Sequence, residues 1–248
     1  MGGTCPPTAE GRFVTPRREN SPVPSLDSVT FDTSGLTFDG ERDGCRAWVT
    51  PSGDRVTLHY FPIPPNISAD VRSLAAVRES YRALAARGGA AIIEIDTLVV
   101  HECAAVRAIV KIPQQPSGMT YLGSITLPYR SFSFVLKIQC PEFGTTGIRD
   151  ALIADELMGL GRITIDVDAH TISGWMQDPY VPTLTDGFRR NMSEDAKYDA
   201  RFPAHPLSRL RPLLTRLQGT LRLASEVRAQ PPFSFPPASL PRRWWQVW

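Results

Sequence analysis

The sequence predicts an α+β fold: an antiparallel β-sheet flanked by helices, with a C-terminal extension and helix wrapped around it. Three observations lead there. Four runs of strand-like alternation follow one another over residues 92–140 with only short turns between them, which leaves no room for the crossovers that parallel pairing needs. Amphipathic helical patterns stand before and after those runs. A leucine stripe then recurs near the C-terminus. The chain has 248 residues, 42% of them hydrophobic and 21% charged. That suffices for one substantial core and is too apolar for a disordered polymer.

Residues 1–25 mix Pro, Ser, Gly and Arg without period and read as a flexible arm. Leu36-Thr37-Phe38 reads as a short strand ended by Asp39-Gly40. Cys45–Thr50 and Arg55–Ile63 form a hairpin around Pro51-Ser52-Gly53-Asp54, with Val56, Leu58 and Tyr60 on one face and Thr57 and His59 on the other. Pro62, Pro64 and Pro65 stop that strand. A helix over 69–88 follows, capped by Ser68, with Val71, Leu74, Val77, Tyr81 and Leu84 on one stripe and Gly88-Gly89 as its exit. In the four strands, Ile93, Ile95, Thr97 and Val99 alternate against Glu94 and Asp96. Val106 to Ile112, Tyr121 to Leu127 and Phe132 to Ile138 alternate in the same way, so one sheet face is expected to be apolar and covered. Gly144-Thr145-Thr146-Gly147 leads into a second helix, 148–160. Its apolar positions (Ile148, Leu152, Ile153, Leu157 and Leu160) do not resolve into one stripe. Ile163 to Val167 and His170 to Trp175 suggest a further hairpin. From Met176 to His205 the pattern vanishes, although Tyr180, Phe188, Tyr198 and Phe202 recur, which suggests a segment wrapped on the sandwich. A last helix within 206–228 places Leu207, Leu210, Leu214, Leu217 and Leu221 at steps of three and four, with Pro212 kinking it or marking its start. The expected organisation is an arm over 1–25, a sandwich over 26–176, an extension with its amphipathic helix over 177–230 and a disordered tail over 231–248.

The segment Val56–Pro65, the helix 69–88, the meander Ile92–Cys140 and the run Glu142-Phe143-Gly144-Thr145-Thr146-Gly147-Ile148-Arg149-Asp150 come in an order that resembles the PsbP-like superfamily. That superfamily of α/β/α sandwiches includes a photosystem II oxygen-evolving subunit, a Ran-binding nuclear import factor, DcrB-type bacterial proteins and adaptor chaperones of type VI secretion. The resemblance covers roughly residues 29–160, and it implies a non-enzymatic domain that binds another protein. It supplies no motif from which functional residues can be carried over.

The chemistry-bearing residues are sparse. The phosphate-cradling G-x-x-x-x-G-K-[ST] and dinucleotide G-x-G-x-x-G motifs are absent, and no cofactor is expected. His101-x-Cys103 is the one close pairing of ligand types, with Cys140 and His59 as further candidates, but the tetrahedral site zinc prefers would need arms this spacing lacks. Four dispersed cysteines suit a reduced, cytoplasmic chain with buried thiols. Neither a signal region nor a stretch long enough to span a bilayer is read. Charge is unevenly placed: 16 basic and 21 acidic side chains over residues 1–188, against 11 and 4 over 189–248.

The function expected is therefore that of a protein-binding module, an adaptor or chaperone holding a hydrophobic segment of another protein, for instance a secreted bacterial protein. The candidate partner-binding residues are Leu207, Leu210, Leu214, Leu217 and Leu221, with Trp244 and Trp245 in the tail. A protein partner is expected and nucleic acid is not, because basic residues interleave with aromatics only in the last seven positions. Two other readings stand beside it. One is a metal-dependent or cysteine hydrolase using His101, Cys103 and Cys140. The other is a peripheral membrane or acidic-ligand binder working through the basic C-terminal region.

Overall fold

The computed structural model describes residues 24–166 and 171–235. Most of the arm, the tip of the 163–175 hairpin and the tail from 236, with Trp244 and Trp245, lie outside the described residues. The described strands begin with β1 (Val29–Thr30), β2 (Thr37–Arg42), β3 (Cys45–Val49) and β4 (Arg55–Phe61). After helix α1 (Leu74–Gly88) come β5 (Ala91–Val100), β6 (Cys103–Pro113), β7 (Met119–Pro128) and β8 (Ser133–Pro141). Helix α2 (Ile148–Gly159) precedes the short strands β9 (Thr164–Asp166), β10 (Thr171–Ser173), β11 (Met176–Gln177) and β12 (Arg190–Asn191). Helix α3 (Pro206–Thr220), β13 (Arg222–Leu223) and α4 (Ser225–Arg228) complete the order.

Seven strands pair antiparallel in the order β2-β3-β4-β8-β7-β6-β5. Helices cover both of the sheet's faces, so the fold class read from the sequence is the one adopted. The meander folds locally, and β8 then docks on β4 in the register Val56↔Ile138 and Leu58↔Leu136.

Both faces are apolar, where the alternation suggested one. On the first face, Leu58, Ile125, Phe134 and Leu136 meet the leucines of α3; on the second, Ile95, Val106, Ala108 and Leu122 meet Val77 and Tyr81 of α1. Strand β7 is consequently buried from Tyr121 to Pro128. A β-bulge between Ile92 and Glu94 breaks the simple alternation of β5. The extra residue turns Ile93 to the α3 face while Ile92 and Ile95 stay on the α1 face. It also sends Glu94 toward α3, where it meets Arg211.

Two other boundaries move for local reasons. Strand β2 runs past Asp39-Gly40, because Gly40 takes φ 109° at a bulge and lets the strand continue. The turn falls instead at Asp43-Gly44, whose φ values of 51° and 71° suit a two-residue hairpin. Helix α1 starts at Leu74, not near 69, because Ser73 supplies the cap: its side chain accepts from the Ala76 amide. Residues 67–71 alternate instead, burying Ile67, Ala69 and Val71 in the second core.

Helix α3 is capped by His205, whose Nδ1 accepts from the Leu207 amide at 3.2 Å, with Pro206 in the first turn. Pro212 therefore lies inside the helix and does not mark its start. Close approach to the sheet falls at Gly123 of β7. A Cβ there would lie 2.9 Å from Leu210 Cδ2 and 3.1 Å from Leu214 Cδ2, so a larger residue would force these leucines to shift.

The sheet's β5 edge is closed by the wrapping segment. The Ile95 N–H donates to the Tyr180 hydroxyl, which donates in turn to the Ile95 carbonyl at 3.1 Å. Arg78 stacks 3.6 Å over the same ring and donates to the same carbonyl. An open edge is a template for pairing with another chain. Tyr180→Phe is expected to cost about 1 kcal/mol and to produce concentration-dependent self-association. Sedimentation velocity checks it; a variant as monodisperse as the parent would show that Tyr180 does not guard the edge.

Candidate interaction surface

The leucines offered by the sequence as a partner-binding stripe are turned inward. Leu207, Leu210, Leu214, Leu217 and Leu221 are each no more than 1% exposed and belong to the first core. They have no surface to offer a partner, because the sheet face beneath them is apolar along its length and α3 is what covers it. The basic residues of α3 are also occupied. Arg209 makes a bidentate pair with Asp54 at 2.7 and 2.9 Å, Arg211 bridges Glu94 and Asp199, and Arg216 holds Asp32 at 2.8 Å. Three of the arginines on which an acidic-surface reading rests are thus paired within the chain.

The sheet register separates the residues of the hydrolase reading. His101 and Cys103 stand at the β5–β6 turn, where the Cys103 Sγ is 3.8 Å from the Pro128 carbonyl at the far end of β7. Cys140 pairs with Tyr121 near the start of β7. Seven residues of strand, roughly 23 Å, divide them. Burial pushes the Cys103 thiol up to about 11, and burial beside Asp54 pushes Cys140 higher still, so neither is an activated nucleophile. His59 lies on β4 opposite Cys45, with Nε2 3.8 Å from the Cys45 Sγ and 2.9 Å from the Thr57 hydroxyl. Burial, then the Lys137 ammonium, lowers His59 to about 4, and burial raises Cys45. Both groups are neutral near pH 7, without the thiolate–imidazolium character of a catalytic pair. Among the described residues, no group of three or more His, Cys, Asp or Glu is placed to hold a metal ion, and no helix is long and apolar enough to cross a membrane.

The densest polar assembly joins α2 and residues 191–201 to the sandwich. Glu194, fully buried, accepts from Lys111 Nζ at 2.8 Å, from the Tyr121 hydroxyl at 3.0 Å and from the Asn191 amide at 2.8 Å. Arg149 of α2 donates to the carbonyls of Ser193 and Asp195, to Asp199 and to the Ser208 hydroxyl. Asp150 accepts from Asn191 and Ser193. Each of these groups is engaged by a neighbour, which makes the assembly a fastening. It is also what α2 needs, because Ile153, Leu157, Ile163, Trp175 and Tyr198 form a small core separate from the two on the sheet.

That arrangement explains the unresolved apolar positions of α2. Ile153 and Leu157 face the small core, whereas Ile148 and Leu152 face outward, four residues apart on the opposite side. Phe143 just before the helix, Ile148, Leu152 and Leu160 at its end are 68%, 50%, 53% and 66% exposed. The following hairpin adds the cross-strand pair Ile165 and Ile172, both exposed. Ile148 and Leu152 are neighbours one turn apart on α2, and Ile165 and Ile172 are cross-strand neighbours; exposed apolar side chains in contact mark interaction sites where single ones do not. The signal was present in the sequence as two interleaved stripes on one helix; what hid it was the absence of any clue to which stripe faced in.

No protein-family model and no curated protein sequence matches the chain. A solved structure from Bacteroides thetaiotaomicron VPI-5482 aligns over 49% of this chain and 41% of that one, at 7% identity and a TM-score of 0.32. The alignment thus spans less than half of either chain.

Proposed function

We propose that the protein is a non-enzymatic binding module, an adaptor or chaperone that holds an apolar helix or strand of another protein on the outer side of α2. The observation that carries this reading is the exposed pair Ile148 and Leu152 on α2, with exposed Phe143 before the helix and Leu160 just after it, while the opposite helix face is committed to a core. The separation of Cys103 from Cys140 along the sheet and the raised thiols of both favour this reading over the cysteine-hydrolase one. The PsbP-like resemblance implies a non-enzymatic domain that binds another protein, which agrees with this reading in kind; the sequence reading put the contact on the leucines of α3, and the present reading puts it on α2.

Substitution of Leu152→Asp together with Leu160→Asp tests it. Surface changes of this kind stay within about 0.5 kcal/mol of the parent in stability. Affinity purification after cross-linking in the native cell is expected to retain a stoichiometric protein with the parent chain and to lose it with the double variant at unchanged Tm. Recovery of the same protein by both chains, or of none by the parent, would refute the assignment.

A further inference from the structure

A pocket of about 420 Å³ opens where the first turn of α2 meets the start of α3. Its volume falls within the range of small-molecule sites. Phe143, Ile148, Phe202 and Pro203 give it an apolar lining, and Glu142 and His205 stand in the same wall. Phe143 and Ile148 also belong to the exposed set on the outer side of α2, so the pocket and that surface share a border.

The informative groups are the His205 ring and the Glu142 carboxylate, whose side chains are 8% and 9% exposed. Nδ1 of His205 accepts from the Leu207 amide at 3.2 Å, so the neutral ring carries its proton on Nε2. Burial, then the Arg149, Arg209, Arg211 and Lys111 cations, lower His205 to about 3, which keeps the ring neutral at pH 7. The Nε2 N–H makes no hydrogen bond among the described residues and is not one of the polar atoms sealed inside the fold. Glu142 Oε1 lies 3.8 Å from it, beyond hydrogen-bonding reach. Oε1 accepts from the Gly147 amide at 3.1 Å and Oε2 from the Met119 amide at 2.8 Å, one bond to each oxygen where a carboxylate oxygen can take two. Neither group is free to swing: the two amides hold the carboxylate, and Tyr121 packs edge-on to the imidazole with centroids 5.2 Å apart. A donor and an acceptor thus stand across a gap that an oxygen about 2.8 Å from each would close. That oxygen must accept from the imidazole and donate to the carboxylate. A hydroxyl does both with one atom; an anion cannot donate, and Glu142 repels it.

We infer that the partner segment held on α2 places a tyrosine side chain in this pocket, its ring against Phe143, Phe202 and Pro203 and its hydroxyl between His205 Nε2 and Glu142 Oε1. This rests on the binding function proposed above and names the side chain by which the partner is recognised. Tyrosine fits because it carries its hydroxyl at the far end of an apolar ring, the combination that makes it a frequent anchor at interfaces. A serine or threonine hydroxyl would bring the peptide main chain into the apolar lining with it, at the cost of burying unpaired amides.

NMR titration of the full chain with N-acetyltyrosinamide and N-acetylphenylalaninamide tests this. The tyrosine amide is expected to saturate one site at millimolar concentration and to shift the His205 Nε2 resonance. The phenylalanine amide is expected to bind at least about tenfold more weakly, because a site built to bond a hydroxyl rejects the analogue that lacks it. His205→Asn keeps the α3 cap, since its side-chain oxygen can accept from the Leu207 amide, and removes the donor; it is expected to bring the two amides to similar affinity. Leu152→Asp with Leu160→Asp should bind the tyrosine amide as the parent does, because neither leucine lines the pocket. Failure of the α2 surface and failure of the pocket are therefore read separately. The inference is overturned if the tyrosine amide does not bind at millimolar concentration, if the parent binds both amides equally, which would leave the gap to water, if binding does not move the His205 Nε2 resonance, or if a folded His205→Asn keeps the preference. Should His205→Asn fail to fold, the resonance and the two-amide comparison in the parent decide alone.

Discussion

Arg149→Ala is expected to destabilise the protein by about 3 kcal/mol or more, in the range found when one partner of a buried charged pair is removed. Arg149 is 1% exposed and donates in four directions: Nε to the Ser193 carbonyl at 2.8 Å, Nη1 to Asp199 at 3.0 Å and to the Ser208 hydroxyl at 2.9 Å, and Nη2 to the Asp195 carbonyl at 3.1 Å. Asp199 keeps Arg211, so the variant does not strand that carboxylate. The Ser193 carbonyl loses its Arg149 donor, the Asp195 carbonyl keeps the Tyr198 amide at 3.1 Å, and a cavity replaces the guanidinium. Arg149→Lys should recover little, because a single ammonium cannot serve a planar fork of contacts. Urea denaturation monitored by two probes checks the magnitude. Hydrogen exchange checks the location: amides over 191–201 should lose protection before those of β7, since the α2 core is joined to the sheet through this polar assembly and not through shared apolar contacts. A loss below about 1 kcal/mol would mean that the assembly contributes little beyond satisfying its own groups.

This fastening also shows where sequence reasoning reaches and where it stops. The hairpin around residues 51–54, the meander and the leucine stripe were legible because each is a short-range periodicity that one buried face enforces. The bulge at Ile92–Glu94 was not, since two adjacent isoleucines fit either face until a second helix claims one of them. Ser68 and Ser73 are equally good caps on paper; the choice falls to the core that Ile67 and Val71 enter as extended chain. Lys111, Arg149, Glu194 and Asp199 are far apart along the chain, and each alone looks like a solvated charge. The uneven charge distribution was visible, but its meaning was intramolecular. Acidic residues of the body, Asp32, Asp54, Glu94 and Glu156, meet basic residues of the extension, Arg216, Arg209, Arg211 and Arg201. The extension belongs to the sandwich electrostatically as well as through its leucines. Of the candidate site, the apolar residues of α2 were in view but formed no single stripe, because the small core that decides which of them face inward is completed by Trp175 and Tyr198, distant along the chain.

Acidification is expected to destabilise the fold from about pH 6.5 downward, well before most carboxylates titrate. His205 is lowered to about 3, first by burial and then by the Arg149, Arg209, Arg211 and Lys111 cations around it; Glu142, 3.8 Å from its Nε2, pulls the other way without prevailing. His59 is lowered to about 4, first by burial and then by Lys137. An ordinary histidine titrates near 6.5, so below that pH the unfolded chain binds a proton at each site while the folded chain does not. Stability from these groups is therefore complete above about 6.5 and is lost as pH falls, at about 1.4 kcal/mol per pH unit for each histidine until its folded-state value is reached. The two act together between about pH 6.5 and 4, and His205 acts alone down to about 3. His205→Asn separates the cap from the titration, because asparagine can accept from the Leu207 amide and carries no proton-binding ring. Its ΔG of unfolding should approach or overtake that of the parent as pH falls, narrowing the difference by about 2.3 kcal/mol between pH 6.5 and 4.5. Urea titrations across that range measure it. Parallel curves for parent and variant would show that the His205 ring takes up its proton in the folded state as readily as in the unfolded one, and would overturn this reading.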